Sequence, residues 1–239
     1  MLLQSQYGKN LLDASILGKK YEEQELSENG IDTLIRMMKS RPISKEMVDA
    51  CCLDLYQHRL YFLRSTSQKN EIMYQNTVEP MLNYCINAFQ KYYDFTFIDG
   101  GEIEQMPKKF LEQADVIVWN LNQNQNIIEE TIDHAKEFAT KSFYLIGNYE
   151  IPSKFTKQYM VRNLKIKRNQ IAVIPHNVTI QDAASEGTLL KTFLLIKDST
   201  KDEINYEFVS EVESATEKLM NFCNHLEDDL SKKEKRVLV

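Results

Sequence analysis

Short apolar runs recur along this chain, and segments with helical spacing separate most of them. The clearest runs are Leu60–Leu63, Phe95–Ile98, Val116–Leu121, Phe143–Ile146 and Ile171–Ile174. Strands that are covered by helices on both faces read as nearly continuous apolar runs, because neither face meets water. The pattern therefore predicts an α/β fold with a doubly wound, mostly parallel sheet and flanking helices.

Apolar residues at spacings of three and four predict the helices. The predicted helical segments are Gly30–Ser40, Lys45–Cys52 behind a Ser44 cap, Glu71–Tyr92 interrupted at Pro80, Ile127–Thr140, and a charged amphipathic helix from Asn205 onward. We therefore expect an α/β domain over residues 1–205, followed by a C-terminal amphipathic helix and charged tail over 206–239.

The composition is that of an ordinary globular protein, with 43% hydrophobic and 27% charged residues. No apolar run approaches the ~20 residues of a membrane span, and the N-terminus has no basic signal region. We expect a cytoplasmic protein without stable membrane insertion. The net charge of −6 argues against a generally basic nucleic-acid surface. The four cysteines form no C-x-x-C pair, so reduced and mostly buried thiols are expected.

Ligands of doubly wound sheets bind beyond the carboxyl ends of the strands. The residues at these positions are Asp99, Asn122, Asn148 and Pro175. The segment Phe95–Asp99 has the form of a Walker B strand, in which a terminal acid holds Mg²⁺ directly or through water. A turn is the other interpretation, because Asp and Gly are turn formers and Asp99 precedes two glycines.

One motif is missing from all 239 residues, the phosphate-binding loop G-x-x-x-x-G-K-[ST]. Gly totals seven residues, and the only Gly-Lys pairs, Gly8-Lys9 and Gly18-Lys19, follow no strand of adequate length. The chain therefore holds no phosphates with a loop of its own.

Several segments in order resemble the ParA/MinD family of P-loop ATPases, closest to divergent members from Firmicutes. The matching segments are Phe-Ile-Asp-Gly-Gly at 97–101, Ala-Asp-Val-Ile-Val-Trp-Asn-Leu-Asn-Gln-Asn at 114–124, Tyr-Leu-Ile-Gly-Asn-Tyr at 144–149, Val-Ile-Pro-His-Asn at 173–177, and Ala183-Ala184 with Gly187. The resemblance extends from Met1 to about Tyr206.

The resemblance implies a role for three residues. Asp99 matches the Walker B acid and would hold Mg²⁺. Asn148 would read the edge of adenine, since an amide offers both a donor and an acceptor, and Pro175 would begin the loop beside the base. A turn asparagine is the alternative for Asn148, which lies between Gly147 and Tyr149. ATP and Mg²⁺ would thus be the cofactors of full-length relatives.

The resemblance also implies an N-terminal truncation, because Met1–Gln4 matches the tail of the family's second strand. On the order of 30–40 residues, the size of the opening of a βαβ unit, would then be missing. Either the chain is truncated or its start is misassigned, or it is a genuine relative without a P-loop. Loss of the first strand would leave two neighbouring strands with unpaired edges. We expect the chain alone to bind ATP poorly and to hydrolyse it negligibly.

Full-length relatives of this kind would be ATP-switched dimers that position or segregate plasmids, mobile elements or surface machinery. The alternative is a non-catalytic interaction module, a pseudo-ATPase that pairs with an intact relative or a machinery protein. A flavodoxin-like or receiver-like domain with Asp99 as a surface acid is a third reading. A homodimer or a heterodimer with a P-loop relative is expected. Lys165, Lys167 and Arg168 either contact DNA or form a solvated loop face.

Overall fold

A computed structural model describes residues 1–4, 11–18, 30–68, 70–101 and 108–236 of the chain. The strands are β1 (Leu2–Gln4), β2 (Leu53–Tyr56), β3 (Leu60–Leu63), β4 (Phe97–Asp99), β5 (Ile117–Leu121), β6 (Ser142–Tyr149) and β7 (Ile171–Pro175). The helices are α1 (Leu11–Leu17), α2 (Ile31–Met38), α3 (Lys45–Cys51), α4 (Glu71–Met73), α5 (Glu79–Tyr92), α6 (Lys108–Gln113), α7 (Gln125–Ala135), α8 (Lys157–Asn163), α9 (Val178–Glu186), α10 (Leu189–Ile196) and α11 (Tyr206–Arg236).

The chain groups into two compact units. The first contains Met1–Phe110 with Ile180–Lys191, and the second contains Leu111–Thr179 with Thr192–Val239. The first holds a four-stranded sheet in the order β2-β3-β1-β4, and the second a three-stranded sheet in the order β5-β6-β7. Every strand pair is parallel except β2 with β3. The predicted α/β class with a mostly parallel sheet is confirmed. The division at residue 205 stays a prediction.

In the first unit β1 lies between β3 and β4. Leu2 pairs with Phe97, Leu3 with Ile98 and Gln4 with Asp99. β4 begins at Phe97 rather than at the predicted Phe95, and the Phe95 carbonyl accepts a hydrogen bond from the Met1 ammonium group at 2.6 Å. The antiparallel hairpin partner β2 was not predicted from the sequence.

The core of the first unit is rich in sulfur. Ile31 and Leu34 of α2 are buried against it, and Ser44 caps α3 by accepting a hydrogen bond from the Met47 N–H. The Cys51 Sγ lies 3.7 Å from the Met37 Sδ, and the Cys85 Sγ lies 3.4 Å from the Met38 Sδ. Cys51, Cys52 and Cys85 are buried and free, as predicted for reduced thiols.

Pro80 interrupts the predicted helix over 71–92. The segment begins as α4, continues as a π-helical turn over Tyr74–Val78, and resumes as α5 with Pro80 in its first turn. Proline is accommodated there because the first N–H groups of a helix have no intrahelical acceptor.

In the second unit α11 covers one face of the sheet. Phe222 of α11 packs on Phe143 of β6, with ring centroids 5.8 Å apart. Buried polar groups at the start of the strands satisfy one another. The Trp119 indole N–H donates to the Ser142 hydroxyl at 2.9 Å, and the Gln170 amide donates to the Ala139 and Ser142 carbonyls. These bonds fix the register of β5, β6 and β7 at that end.

Within the described parts of the chain, β4 pairs with β1 alone and β5 with β6 alone. Each of these edge strands carries exposed apolar side chains. Phe97 on β4 is 51% exposed and its ring stacks with that of Phe95, while Val118 on β5 is 41% exposed. Separately, no helix in the described ranges is both long and apolar enough to cross a membrane.

Candidate functional site

The carboxyl ends of β6 and β7 bring together two of the residues that the sequence singled out. The pairing of β6 with β7 shifts register between Ile146 and Tyr149, and Asn148 lies in that irregular stretch. Its backbone has φ 47°, a left-handed conformation in which asparagine is more stable than most residues. The Asn148 side chain is exposed. The turn interpretation and the binding interpretation of Asn148 are therefore compatible with one geometry.

Pro175 is the residue of β7 that faces this irregularity. It pairs in register with Tyr149, and the following His176 N–H donates to the Tyr149 carbonyl at 3.3 Å. Asn148 and Pro175 are thus separated by one step across neighbouring strands. An exposed amide beside a proline loop is an arrangement that can hold the edge and the face of a planar base.

Gln123 connects the loops that follow β5 and β6, and its role was not predicted. Its amide nitrogen donates to the Glu150 carbonyl at 3.2 Å and the Phe155 carbonyl at 3.1 Å. Its amide oxygen accepts from the Glu150 N–H at 2.7 Å. Three bonds from one half-buried side chain hold the segment after Asn148 in place. The sequence signal was its position just beyond a buried strand, obscured by the surrounding run of Asn and Gln.

Further polar side chains surround this end of the sheet. The His176 Nδ1 lies 3.3 Å from a Glu150 carboxylate oxygen, and the Asn177 amide donates to the Asn205 side chain at 2.9 Å. The second bond ties the loop after β7 to the residue before α11. Polar groups from the loops after all three strands therefore lie at the edge where ligands of such sheets bind.

Asp99 belongs to the first unit and ends β4. Its carboxylate accepts a hydrogen bond from the Gly101 N–H at 3.0 Å, and Gly101 has φ 68°. A carboxylate that closes its own turn is the arrangement that Asp-Gly sequences form without any metal. In the described part of the chain, no three His, Cys, Asp or Glu side chains come together as a metal site. The metal role of Asp99 stays a prediction.

These residues fit one part of a nucleotide and not another. Asn148 and Pro175 offer an amide and an apolar wall, which suit a base. Phosphates need converging backbone amides and a lysine, and the sequence has no loop of that kind. Mg²⁺ needs several oxygen ligands, and among the described residues the Asp99 carboxylate, which also accepts the Gly101 N–H, is not joined by two further acidic, His or Cys side chains. The described residues therefore offer groups for a base, and among them there is no complete site for a magnesium triphosphate.

Ala183 and Gly187, which matched the family pattern, form a helix cap in the first unit. The Gly187 N–H donates to the Ala184 carbonyl at 3.4 Å and the Thr188 N–H to the Ala183 carbonyl at 2.8 Å. This pair of bonds defines a Schellman motif with Gly187 at its left-handed position, where φ is 72°. A Cβ atom on Gly187 would also overlap the backbone of Gly18. The spacing of Ala183 and Gly187 is explained by this cap.

Lys165, Lys167 and Arg168 are exposed and precede β7. Because the strands of this unit are parallel, these three residues lie at the amino end of the sheet, away from Asn148 and Pro175. Lys165 has φ 57°, so it forms a tight turn there.

No family model matches the chain, and no curated protein matches it in sequence. Solved structures do resemble it. One is the crystal structure of a ParA family ATPase from Chlorobium tepidum TLS, with a TM-score of 0.65, 14% identity, and coverage of 90% of this chain and 85% of that one. Another is the MinD cell division protein of Aquifex aeolicus, with a TM-score of 0.49, 15% identity, and coverage of 92% and 96%.

At 14% identity the likeness to the ParA family ATPase shows the fold. The chain therefore has an α/β fold like that of this ParA family ATPase. The resemblance drawn from the sequence is confirmed at the level of the fold.

Proposed function

We propose that this chain is a ParA/MinD-like partitioning or positioning protein that does not hydrolyse ATP on its own. One observation carries the proposal. A likeness to a ParA family ATPase extends over 90% of the chain, and the sequence has no phosphate-binding loop. The residues at the ends of β6 and β7 would then contact a base without a matching hold on its phosphates. ATP and Mg²⁺ would be cofactors of relatives rather than tightly bound ligands of this chain.

The test is ATP binding and hydrolysis by the purified chain. We expect no saturable binding of radiolabelled ATP in the micromolar range and no phosphate release above a protein-free blank. The physical reason is that most of the affinity for a triphosphate comes from amides and a lysine at a helix N-terminus. Saturable micromolar binding would refute the proposed lack of ATP binding, and phosphate release above the blank would refute the proposed lack of hydrolysis.

Weak recognition of the base can be tested separately from phosphate binding. Adenosine at millimolar concentration should perturb the NMR signals of Asn148 and its neighbours. Asn148→Gly should remove this effect, because glycine keeps the left-handed backbone but has no amide side chain. Asn169→Gly serves as the matched control, since Asn169 is an exposed asparagine before β7, at the opposite end of the sheet. Equal perturbation in wild type and Asn148→Gly would exclude the amide from base recognition.

The exposed edges of β4 and β5 favour the second candidate, a non-catalytic module that pairs with another protein. Edge strands with unpaired backbone groups and exposed apolar side chains are templates for association. In this role the chain would form a homodimer, or a heterodimer with an intact P-loop relative. Co-purification of the tagged chain from its source cells tests it. Recovery of a P-loop relative in stoichiometric amount would support the module, and recovery of the chain as a monomer would argue against it.

DNA contact through Lys165, Lys167 and Arg168 is a separate part of the proposal. Their exposure and their common position before β7 support it. The triple change to alanine should abolish salt-sensitive retention on duplex DNA, since phosphate contacts release counterions. A triple variant at Lys136, Lys197 and Lys201 matches the loss of charge. If both variants are retained like wild type, the lysines form only a solvated face.

A further inference from the structure

A groove opens on the surface of the first unit, between α5 and the loop that joins α2 to α3. Its volume is about 380 Å³. The side chains that line it come from the end of α2, from the loop and from α5, and they are Met38, Arg41, Pro42, Ile43, Met81 and Tyr84. Among these described residues only Arg41 carries a charge, so the inside of the groove is mainly apolar.

The two walls of the groove are held together by contacts beneath it. The Cys85 Sγ of α5 lies 3.4 Å from the Met38 Sδ of α2, and Cys85 is fully buried. The Tyr92 hydroxyl of α5 donates to the Ile43 carbonyl of the loop at 3.2 Å. The groove is therefore formed by packed elements before any partner binds, which lowers the conformational entropy that binding would cost.

The residue types of the groove are those of a protein interface. Aromatic residues, methionine and arginine are enriched at protein–protein interfaces, and four of the six lining residues belong to these types. Tyr84 is 54% exposed, and Met38 and Met81 are half-buried. Flexible thioethers adapt to the shape of an apolar partner. The groove can therefore take up a bulky apolar side chain of another protein.

Positive charge is concentrated in the two segments that supply the lining. Residues 33–45 and 80–93 contain no Asp or Glu, although the whole chain has a net charge of −6. Their five cationic residues, all of them exposed, are Arg36, Lys39, Arg41, Lys45 and Lys91. Lys45 is paired with Asp49 of α3 at 2.8 Å, so the other four set the local charge. A positive surface around an apolar groove complements a partner that combines acidic and apolar side chains.

We propose that the groove is a docking surface for an acidic amphipathic helix of a partner protein. Apolar residues at spacings of three and four on one face of such a helix would fill the cavity. Acidic residues beside them would meet the surrounding cations. The docking surface includes neither Asn148 and Pro175 nor the edges of β4 and β5, so it is independent of the proposed function.

Two other anionic partners match the groove less well. Nucleic acid would place phosphates and sugars against methionine, proline and isoleucine, whose side chains donate no hydrogen bonds to phosphate oxygens. An anionic membrane takes up apolar side chains that project from a protein, whereas these side chains line a concave surface.

The experiment is a selection from a library of random peptides displayed on a helical scaffold, with the full chain as the target. The scaffold is needed because isolated helices shorter than about 12–15 residues are marginal in water. A parallel selection uses the double variant Arg41→Glu, Tyr84→Ser, which circular dichroism should show to be folded because both residues are exposed. We expect the wild-type protein to enrich helices that carry Asp or Glu beside Leu, Phe or Met. The variant should not enrich them.

NMR with ¹³C-labelled methionine methyl groups locates the binding of an enriched helix. The methyl signals of Met38 and Met81 should shift to saturation as the helix is added. The signal of Met160, which is fully buried in the second unit, should not shift.

Single variants measure the contribution of each kind of contact. Arg41→Gln and Tyr84→Ser should each weaken binding about tenfold, the scale of an interface hot spot. Arg59→Gln is the matched control, because Arg59 is an exposed arginine in the turn between β2 and β3. It should leave binding unchanged.

Four outcomes would overturn the proposal. One is that the wild-type protein enriches no helix, and another is that the enriched helices lack acidic residues. The third is undiminished binding by both Arg41→Gln and Tyr84→Ser. The fourth is a saturable shift of the Met38 and Met81 signals by duplex DNA or by vesicles of phosphatidylglycerol, which would assign the groove to a nucleic acid or to a membrane.

Discussion

At the scale of single residues, two positions have a left-handed backbone for different reasons. Asn148 interrupts the pairing of β6 with β7, and Gly187 caps α9. At Asn148 only the backbone conformation restricts the side chain, because the side chain itself is exposed. At Gly187 the neighbouring backbone of Gly18 also excludes any Cβ atom. The same sign of φ therefore gives different tolerances to substitution.

Substitutions at Asn148 should separate backbone strain from binding. Asn148→Gly should keep the free energy of unfolding within a few tenths of a kcal/mol of wild type, since glycine adopts positive φ readily. Asn148→Val should lower it by about 1–2 kcal/mol, because a β-branched residue is strained there. Guanidinium denaturation followed by circular dichroism measures both. Equal stability of the valine variant would mean that the irregularity in β6 can relax.

Gly187→Ala should destabilise the first unit by about 2–5 kcal/mol, from the strain of positive φ together with overpacking. Gly187→Asn is the discriminating variant. Asparagine tolerates a left-handed backbone, so a large loss with asparagine attributes the effect to overlap with Gly18. A nearly wild-type asparagine variant would instead attribute it to φ alone. Thermal unfolding of the three proteins measures the difference.

At the scale of secondary structure, strands made of continuous apolar residues could be predicted from the sequence. Features that depend on a neighbouring strand could not. The strands β3, β5, β6 and β7 follow from continuous apolar stretches, and the Ser44 cap follows from local chemistry. The start of β4 at Phe97 rather than at Phe95 reflects its pairing with β1, which lies more than 90 residues away in the sequence and therefore leaves no local pattern. The hairpin strand β2 follows α3 with a single residue between them, so its pattern merges with that of the helix.

The candidate site shows the same division. Asn148 and Pro175 could be found because each follows a buried strand. Their proximity depends on the register of β6 against β7, and the role of Gln123 depends on two loops that are distant in sequence. Neither the strand register nor the hydrogen bonds of Gln123 leave a periodic pattern in the sequence, so neither could be predicted from it.

The edge of β4 should control self-association. Phe97→Lys places a charge on the exposed edge, which natural sheets use to prevent pairing with other chains. We expect concentration-dependent association to decrease in sedimentation velocity experiments. Tyr84→Lys is the matched control, because Tyr84 is a similarly exposed aromatic residue on a helix, 54% exposed. If both variants associate like wild type, the β4 edge makes no intermolecular contact.

At the scale of the whole molecule, the buried thiols make the free energy of unfolding change with pH in the alkaline range. Burial raises the pKa of Cys52 and of Cys85 from 9.0 to about 12. The unfolded chain therefore loses these protons near pH 9 while the folded chain keeps them. The stabilisation that the protonated thiols give to the folded state is fully present below pH 9 and is lost as the pH rises toward 12. The free energy of unfolding then falls with a limiting slope of about 1.4 kcal/mol per pH unit for each thiol.

The slope of stability against pH isolates this effect from simple loss of packing. Between pH 9 and 12, Cys85→Ala should reduce the slope of the free energy of unfolding against pH by about 1.4 kcal/mol per pH unit, the contribution of one proton. Met38→Leu, which alters the thioether beside Cys85, should lower stability without changing the slope. Urea denaturation at a series of pH values measures both quantities. An unchanged slope in Cys85→Ala would show that this thiol does not titrate on unfolding.

The placement of a few unusual side chains gives each compact unit its own spectroscopic label. Trp119 is the one tryptophan in the sequence, and it is buried in the second unit with its indole bonded to Ser142. The three buried cysteines all lie in the first unit. Indole fluorescence will therefore report the unfolding of the second unit. In a Cys223→Ser variant, which removes the half-buried thiol of the second unit, the rate of modification by a thiol reagent will report the opening of the first unit. Coincident transitions would show that the two units fold as a single cooperative system.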